Sequence, residues 1–161
     1  MNYQEPNYQN HKFYGNDIKI TNAFISLGSL SEKLRLNEIS VHQGNDNVNP
    51  WDEYKMSQFI ESILLKIPMP VFYFDVSNPN IWLSINGLQK LVAIKNFMEK
   101  GLVLNNMEVL THLNGRNYTD LENNYKRIIY DTQVITYQVE AQTPINLREL
   151  VFKKIRDMNE Y

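Results

Sequence analysis

The stretch of this sequence best suited to chemistry lies between residues 81 and 97 and reads IWLSINGLQKLVAIKNF. An apolar run rich in strand-forming residues ends at Asn86 and Gly87, and apolar residues then recur at helical spacing, which predicts a strand, a tight turn and a helix. The first backbone N–H groups of a helix lack intrahelical partners and lie at the positive end of its dipole, so they can hold a phosphate group. Gly87 would let the phosphate approach the main chain, and Lys90 would add a positive charge. The segment therefore predicts an anion site.

The same Asn86–Gly87 pair is also the strongest short signal for a β-hairpin, because both residues tolerate the positive φ of a type I′ turn. In that alternative the residues after Gly87 would form a returning strand. Their apolar positions do not alternate, and the apolar spacing continues for longer than a typical strand, so the strand–turn–helix reading is favoured. Most turns of this kind only connect elements, so a purely structural role for the turn stays open from the residues alone.

The overall composition bounds the class of protein. A chain of 161 residues suits one domain with a real core, and a formal net charge of −2 gives no global attraction to nucleic acid or to a membrane. The chain has no cysteine, which excludes disulfides, zinc–thiolate sites and thiol nucleophiles. Its three histidines are scattered without ligand spacing, so no metal site is expected. No apolar run reaches the length of a membrane span and no signal peptide is recognisable, so a cytoplasmic location without a membrane partner is expected.

The domain organisation follows from a change in composition near the N-terminus. Residues 1–16 are rich in Asn, Gln and Tyr and poor in aliphatic residues, which predicts a disordered tail. Residues 17–161 are predicted to form a single domain.

The patterns along this domain predict an α+β fold, in which helices pack on a mixed β-sheet. The expected order is strand, helix, strand, strand, helix, helix, strand, helix. In the first half, the elements are one or two strands within residues 30–41, a helix that starts at Asn49 and Pro50, and a hairpin of strands 71–76 and 81–85 that precedes the central helix. In the second half, they are a short strand at residues 102–104, a hairpin turn at Asn114 and Gly115, a helix over residues 120–128 behind a capping box of Thr119 and Glu122, a strand over residues 132–140 and a helix opened by Thr143 and Pro144.

Charged residues on two of these helices have both a plain and a functional interpretation. Glu61 lies off the centre of the apolar stripe of its helix, so it is either a solvated residue or an accessory carboxylate near the phosphate site. Lys153, Lys154 and Arg156 make the last helix locally basic. They form either a solvated face or a contact surface for nucleic acid.

Three segments together resemble a known protein family. They read WDEYKMSQFIESILLKIPMPVFYF, INGLQKLVAIKNF and VFKKI, in that order. The chain resembles, from about residue 34 to about residue 155, the N-terminal domain of GmrSD-type modification-dependent restriction enzymes and related bacterial phage-defence proteins. That domain belongs to the ParB and sulfiredoxin-like superfamily, so the resemblance implies a ParB-like fold.

The resemblance implies a nucleotide-dependent module. Family members bind or hydrolyse nucleoside triphosphates with Mg²⁺ or another divalent cation, and they couple this to the cleavage of invading DNA by a separate nuclease domain or protein. The superfamily places a Gly-x-x-Arg motif at the start of a helix to hold phosphates, and Gly87 and Lys90 occupy the matching positions. Asn86, Gly87, Gln89 and Lys90 are therefore the predicted phosphate-binding residues.

The departures from the family pattern Asp-Gly-Gln-Gln-Arg-Leu imply that catalysis is weakened. Asn86 stands in place of the aspartate, Leu88 in place of a glutamine and Lys90 in place of the arginine. Asparagine keeps the ability to cap a helix or to bind a ligand, but it cannot act as a base, and the loss of one positioned acid–base group costs about 100- to 10,000-fold in rate. Lysine lacks the bidentate fork of arginine.

Three functional hypotheses follow. The first is a nucleotide-binding sensor domain, which would act as a Mg²⁺-dependent NTPase if any hydrolysis is left. The second is a catalytically inactive relative that acts as a protein-interaction or regulatory subunit, with self-association left open. The third is a DNA-binding module that uses the basic last helix.

Overall fold

The computed structural model describes residue 12 and residues 15–41 and 49–159, so the predicted tail falls almost wholly outside the described residues. Within these ranges the elements are β1 (Ile20–Ser26), α1 (Leu27–Arg35), β2 (Ile39–Ser40), α2 (Glu53–Leu64), β3 (Phe72–Asp75), β4 (Trp82–Ser84), α3 (Leu88–Glu99), α4 (Asn123–Asp131), β5 (Gln133–Val139) and α5 (Ile145–Met158). In this part of the chain, no helix has both the length and the apolar character needed to cross a bilayer.

The five strands form one mixed sheet in the order β1-β5-β3-β4-β2. β1 is antiparallel to β5, β5 is parallel to β3, β3 is antiparallel to β4, and β4 is parallel to β2. The predicted α+β class with a mixed sheet is therefore confirmed. From β2 onward, the order of strands and helices is also the predicted one.

The sheet separates two apolar cores because residues along its central strand alternate between the two faces. Phe72 and Phe74 of β3 are fully buried against the layer formed by α1, α2, α3 and α4. Tyr73 points to the opposite face, where it stacks on Tyr137 of β5 at 5.2 Å between ring centroids. On that face α5 packs against the sheet around the buried Val139. β3 is thus covered on both faces, as its nearly continuous apolar sequence predicts.

The predicted strand within residues 30–41 is mostly wrong, because α1 occupies the first part of it. Ser26 caps this helix by accepting a hydrogen bond from the N–H of Ser29 at 3.1 Å. Leu27, Leu30 and Leu34 lie at helical spacing and are fully buried. The apparent alternation arose from the leucines near the end of α1, and only the two residues of β2 are a strand.

Two predicted helix starts are displaced toward the C-terminus. α2 does not begin at Asn49 and Pro50 but after Asp52, whose Oδ1 accepts a hydrogen bond from the N–H of Lys55 at 2.8 Å. α4 begins after Glu122, whereas Thr119 lies in a short 3-10 turn. The side-chain cap from Asp52 fixes the start of α2. Thr119 and Asp120, which were expected to open α4, belong instead to the 3-10 turn.

One irregular backbone contact stands in place of two predicted elements, the short strand at residues 102–104 and the hairpin at Asn114 and Gly115. The N–H of Leu104 donates to the carbonyl of Arg116 at 2.9 Å, and Leu104 accepts from the N–H of Gly115 at 2.8 Å. Gly115 does adopt a positive φ of 82°, as a turn glycine should. Leu104 is fully buried, so this contact fixes the loop onto the larger core.

Candidate functional site

The segment around Gly87 is a strand–turn–helix, so the hairpin alternative is wrong. β4 ends three residues before Gly87, and α3 starts directly after it. Gly87 is the N-cap residue, with φ 73° and ψ 20°, in the left-handed region. Its carbonyl accepts the hydrogen bond from the N–H of Leu91 at 3.1 Å that closes the first helical turn.

Glycine is required at position 87 for two structural reasons. A φ of 73° is strained for any residue with a side chain. A Cβ atom built at this position would also lie 3.1 and 3.2 Å from ring carbons of Phe72, which is fully buried beneath the turn. The glycine therefore sets both the direction of the chain and its close packing on β3.

Asn86 has a structural partner and does not cap α3. Its Oδ1 accepts a hydrogen bond from the backbone N–H of Tyr73 at 2.9 Å, and its backbone carbonyl accepts one from the hydroxyl of Ser84 at 2.7 Å. The expectation that this asparagine can cap the helix is therefore wrong, since α3 has no side-chain cap. The amide instead ties the turn to the central strand.

Gln89 joins the start of α3 to the segment that precedes α2. Its Oε1 accepts a hydrogen bond from the backbone N–H of Trp51 at 2.9 Å. This bond leaves the side-chain NH₂ group of Gln89 without a protein partner among the described residues. The glutamine can therefore donate to a ligand without giving up its structural bond.

The start of α3 presents unpaired donors next to a cation. In the part of the chain that the structure describes, the backbone N–H groups of Leu88, Gln89 and Lys90 have no hydrogen-bond acceptor. Lys90 is half-buried and forms no ion pair with a described residue. Three amides, the positive end of the helix dipole and one ammonium group make this corner electropositive.

Two residues that the sequence interpretation did not assign to the site lie close to it. Trp51 is bonded to Gln89 through its backbone, and its ring packs edge-on against Phe59 with 5.7 Å between centroids. The Nζ atom of Lys55 lies 5.0 Å from the centroid of the Trp51 ring. The spacing Trp-x-x-x-Lys at the start of a helix was the available signal, because residues four apart share a helix face. The site thus has an aromatic ring and a second cation nearby.

Glu61 is buried, so its interpretation as a solvated residue is wrong. Its side chain is only 3% exposed, Oε1 accepts hydrogen bonds from the N–H groups of Val109 (2.8 Å) and Leu110 (2.7 Å), and Oε2 accepts one from Glu108 (3.0 Å). Burial alone would raise the pKa of Glu61, but the three N–H donors outweigh it and the net pKa is lowered. The carboxylate anchors a loop, and its predicted accessory role stays a prediction.

Of the four basic residues of α5, one is half-buried and bonds to the preceding loop, and three are exposed. Arg148 donates from Nη2 to the carbonyl of Thr143 at 3.0 Å, which holds the loop that leads into the helix. Lys153, Lys154 and Arg156 are exposed. The predicted nucleic-acid contact therefore rests on these three residues.

The described residues contain no group of three or more His, Asp or Glu side chains that could hold a metal ion. The Oδ1 atom of Asn86 is already engaged by the backbone N–H of Tyr73. A divalent cation at this corner would therefore have to be held mainly by the phosphates of a nucleotide.

In comparisons with known proteins, no family model, no curated protein and no solved structure matches this chain. Membership of the restriction and phage-defence family accordingly stays a prediction from the motifs. The fold is established at the level of an α+β domain with a mixed five-stranded sheet.

Proposed function

We propose that this chain is a phosphate-binding sensor domain for nucleoside triphosphates, within a bacterial phage-defence or restriction-type system. The observation that supports this most is the uncapped start of α3, where Gly87 takes the N-cap position without a side chain that could occupy the free amides. An anionic oxygen is the natural partner of such a group of donors.

The ligand would be held mainly by main-chain atoms. Its terminal phosphates would accept hydrogen bonds from the N–H groups of Leu88, Gln89 and Lys90, and the ammonium group of Lys90 would neutralise part of their charge. The NH₂ group of Gln89 would add one further donor. Mg²⁺ would arrive bound to the nucleotide, because the described residues offer no carboxylate group of the size needed to hold the ion.

The residues at this corner favour binding over turnover. A carboxylate at position 86 could take a proton from an attacking water, but an amide cannot. The Oδ1 atom of Asn86 is in addition already bonded to Tyr73. Any cleavage of DNA would therefore be carried out by another domain or protein, which the nucleotide-bound state of this domain would regulate.

Titration calorimetry with each nucleoside triphosphate in the presence of Mg²⁺ tests this proposal. At least one nucleotide should give saturable heat, and Lys90→Ala should weaken binding at least tenfold. Lys95→Ala is the matched control, because it removes the same charge from the same helix beyond the first turn and should bind like the parent. Absence of heat with every nucleotide, or equal binding by the two variants, would contradict the proposal.

A restored variant separates a sensor from an inactive relative that acts only through protein contacts. Asn86→Asp combined with Lys90→Arg recreates the family residues at two of the three changed positions and leaves Leu88 as it is. If the domain is a binding sensor, the parent binds nucleotide, and the restored protein gains hydrolysis that is measurable as phosphate release. An inactive interaction subunit would bind no nucleotide in the parent form. If the parent already hydrolyses nucleotide and the restored protein gains nothing, the idea of a weakened site fails.

A further inference from the structure

β1 forms one edge of the sheet and lacks the features that usually protect an edge. Its seven residues read ITNAFIS, with no charged residue and no proline. The pairing with β5 runs without a bulge from Ile20 opposite Val139 to Ser26 opposite Gln133. Proteins normally protect such edges with charges, prolines or bulges, because an open edge can pair with another chain. The edge is therefore competent for pairing.

The backbone geometry shows which groups of β1 are available. The carbonyl of Lys19 and the N–H of Leu27, which frame the strand, both bond toward β5 at 2.8 Å. Because successive residues of a strand direct their backbone groups to alternate sides, those of Ile20, Asn22 and Phe24 point away from β5. Among the described residues they have no hydrogen-bond partner.

The side chains of the same three residues form a partly apolar row on one face of the sheet. Phe24 is 74% exposed and Ile20 is 40% exposed, with Asn22 between them. They lie on the face that α5 covers farther along, where Ile20 pairs with the buried Val139. Phenylalanine side chains are usually buried, so an exposed Phe24 on an open strand would gain stability if a partner covered it.

We propose that β1 is a homodimerisation edge, at which two copies of this chain pair antiparallel about a two-fold axis at Asn22. The two five-stranded sheets then continue as one ten-stranded sheet. In this register Asn22 lies opposite its own copy, and each Ile20 lies opposite Phe24 of the partner subunit. The outward backbone groups of all three residues then form hydrogen-bonded pairs across the axis.

The order of apolar and polar residues along β1 favours this register over the alternative. It also favours a second copy of this chain as the pairing partner. Two-fold pairing through the outward groups can also centre on Ala23, but that register places Phe24 opposite an asparagine and Ile20 opposite Ser26. Centring on Asn22 brings the two large exposed apolar side chains of β1, Ile20 and Phe24, together twice, on the same face, as stabilising cross-strand pairs. No charge within the strand repels an identical copy. An isologous interface of this kind closes on itself and gives a dimer.

Sedimentation velocity across a concentration series tests the dimer. The parent protein should shift from monomer to dimer as its concentration rises. Asn22→Pro should stay monomeric and folded, because the N–H that it removes points away from β5. Phe24→Lys should also stay monomeric, whereas Leu83→Lys, a control at an exposed apolar position on β4, should dimerise like the parent. A parent that is monomeric throughout, or folded Asn22→Pro and Phe24→Lys variants that still dimerise, would overturn the proposal.

Cysteine cross-linking tests the register, and the absence of native cysteine makes each introduced thiol unique. The Cα atoms of a hydrogen-bonded antiparallel pair lie about 5.5 Å apart, which is within disulfide range. Asn22→Cys should therefore form a disulfide-linked dimer under mild oxidation. Ala23→Cys, whose side chain would lie opposite Thr21 of the partner subunit, should cross-link much less. The reverse preference, or no cross-linked dimer with Asn22→Cys, would overturn this register.

Discussion

Replacing Glu61 with glutamine should destabilise the domain although the change is nearly isosteric. The Oε1 bonds to Val109 and Leu110 can survive in the amide, but its NH₂ group would face the N–H of Glu108 in place of Oε2. Two donors would then meet in a buried site. The cost of such an unsatisfied buried donor, together with the lost charge on the remaining bonds, is about 2 to 3 kcal/mol.

Urea denaturation of the parent, of two Glu61 variants and of one control variant measures this effect. Glu61→Gln should lose about 2 to 3 kcal/mol of unfolding free energy, and Glu61→Ala more, about 3 to 5 kcal/mol, because all three amides lose their acceptor and a cavity forms. Glu149→Gln removes the same charge from an exposed position on α5 and should stay within about 0.5 kcal/mol of the parent.

The pH dependence of the stability difference between the parent and Glu61→Gln shows whether the carboxylate causes that difference. The folded-state pKa of Glu61 lies below the ordinary value of 4.5, so its stabilising contribution is complete above that pH and is lost as the pH falls through the folded-state pKa. Glutamine does not titrate. The gap in unfolding free energy between the parent and Glu61→Gln should therefore be constant from pH 7 to about pH 5 and shrink in acid. A gap below about 0.5 kcal/mol at pH 7, or one that does not change down to pH 3, would refute this reasoning.

Substitutions at two further positions probe local features of the fold. Gly87→Ala should destabilise the domain by about 1 to 2 kcal/mol in the same urea assay, because φ is 73° and the new Cβ would press on the Phe72 ring. An unchanged urea midpoint would contradict the claim that position 87 requires glycine. Asp52→Ala should cost about 1 kcal/mol, because it removes the cap on the N–H of Lys55 at the start of α2, and Asp52→Asn should recover most of that loss; equal stability of all three proteins would show that this cap contributes nothing.

The sequence was most informative where a local pattern determined the structure. The change of period at Asn86 and Gly87 correctly predicted a turn from strand to helix, because a helical apolar stripe cannot serve a returning strand. The apolar run of β3 correctly predicted a strand buried on both faces. Neither prediction required knowledge of distant residues.

The sequence was less informative where a distant partner determines the role of a residue. The burial of Glu61 depends on a loop 47 to 49 residues later, and nothing near it in the sequence marks those amides. Asn86 bonds to Tyr73, 13 residues earlier, and therefore does not cap the helix that it precedes. β1 escaped prediction because an edge strand that is exposed along most of its length shows no clear apolar alternation.

The most direct test of the central claim follows the backbone amides of the N-terminus of α3 by nuclear magnetic resonance during titration with a Mg²⁺–nucleoside triphosphate. The account predicts saturable shifts that are largest at the amides of Leu88, Gln89 and Lys90 and that need at least ten times more nucleotide to saturate in Lys90→Ala. Shifts confined to other parts of the chain, such as the basic face of α5, or no shifts with any nucleotide, would contradict the account.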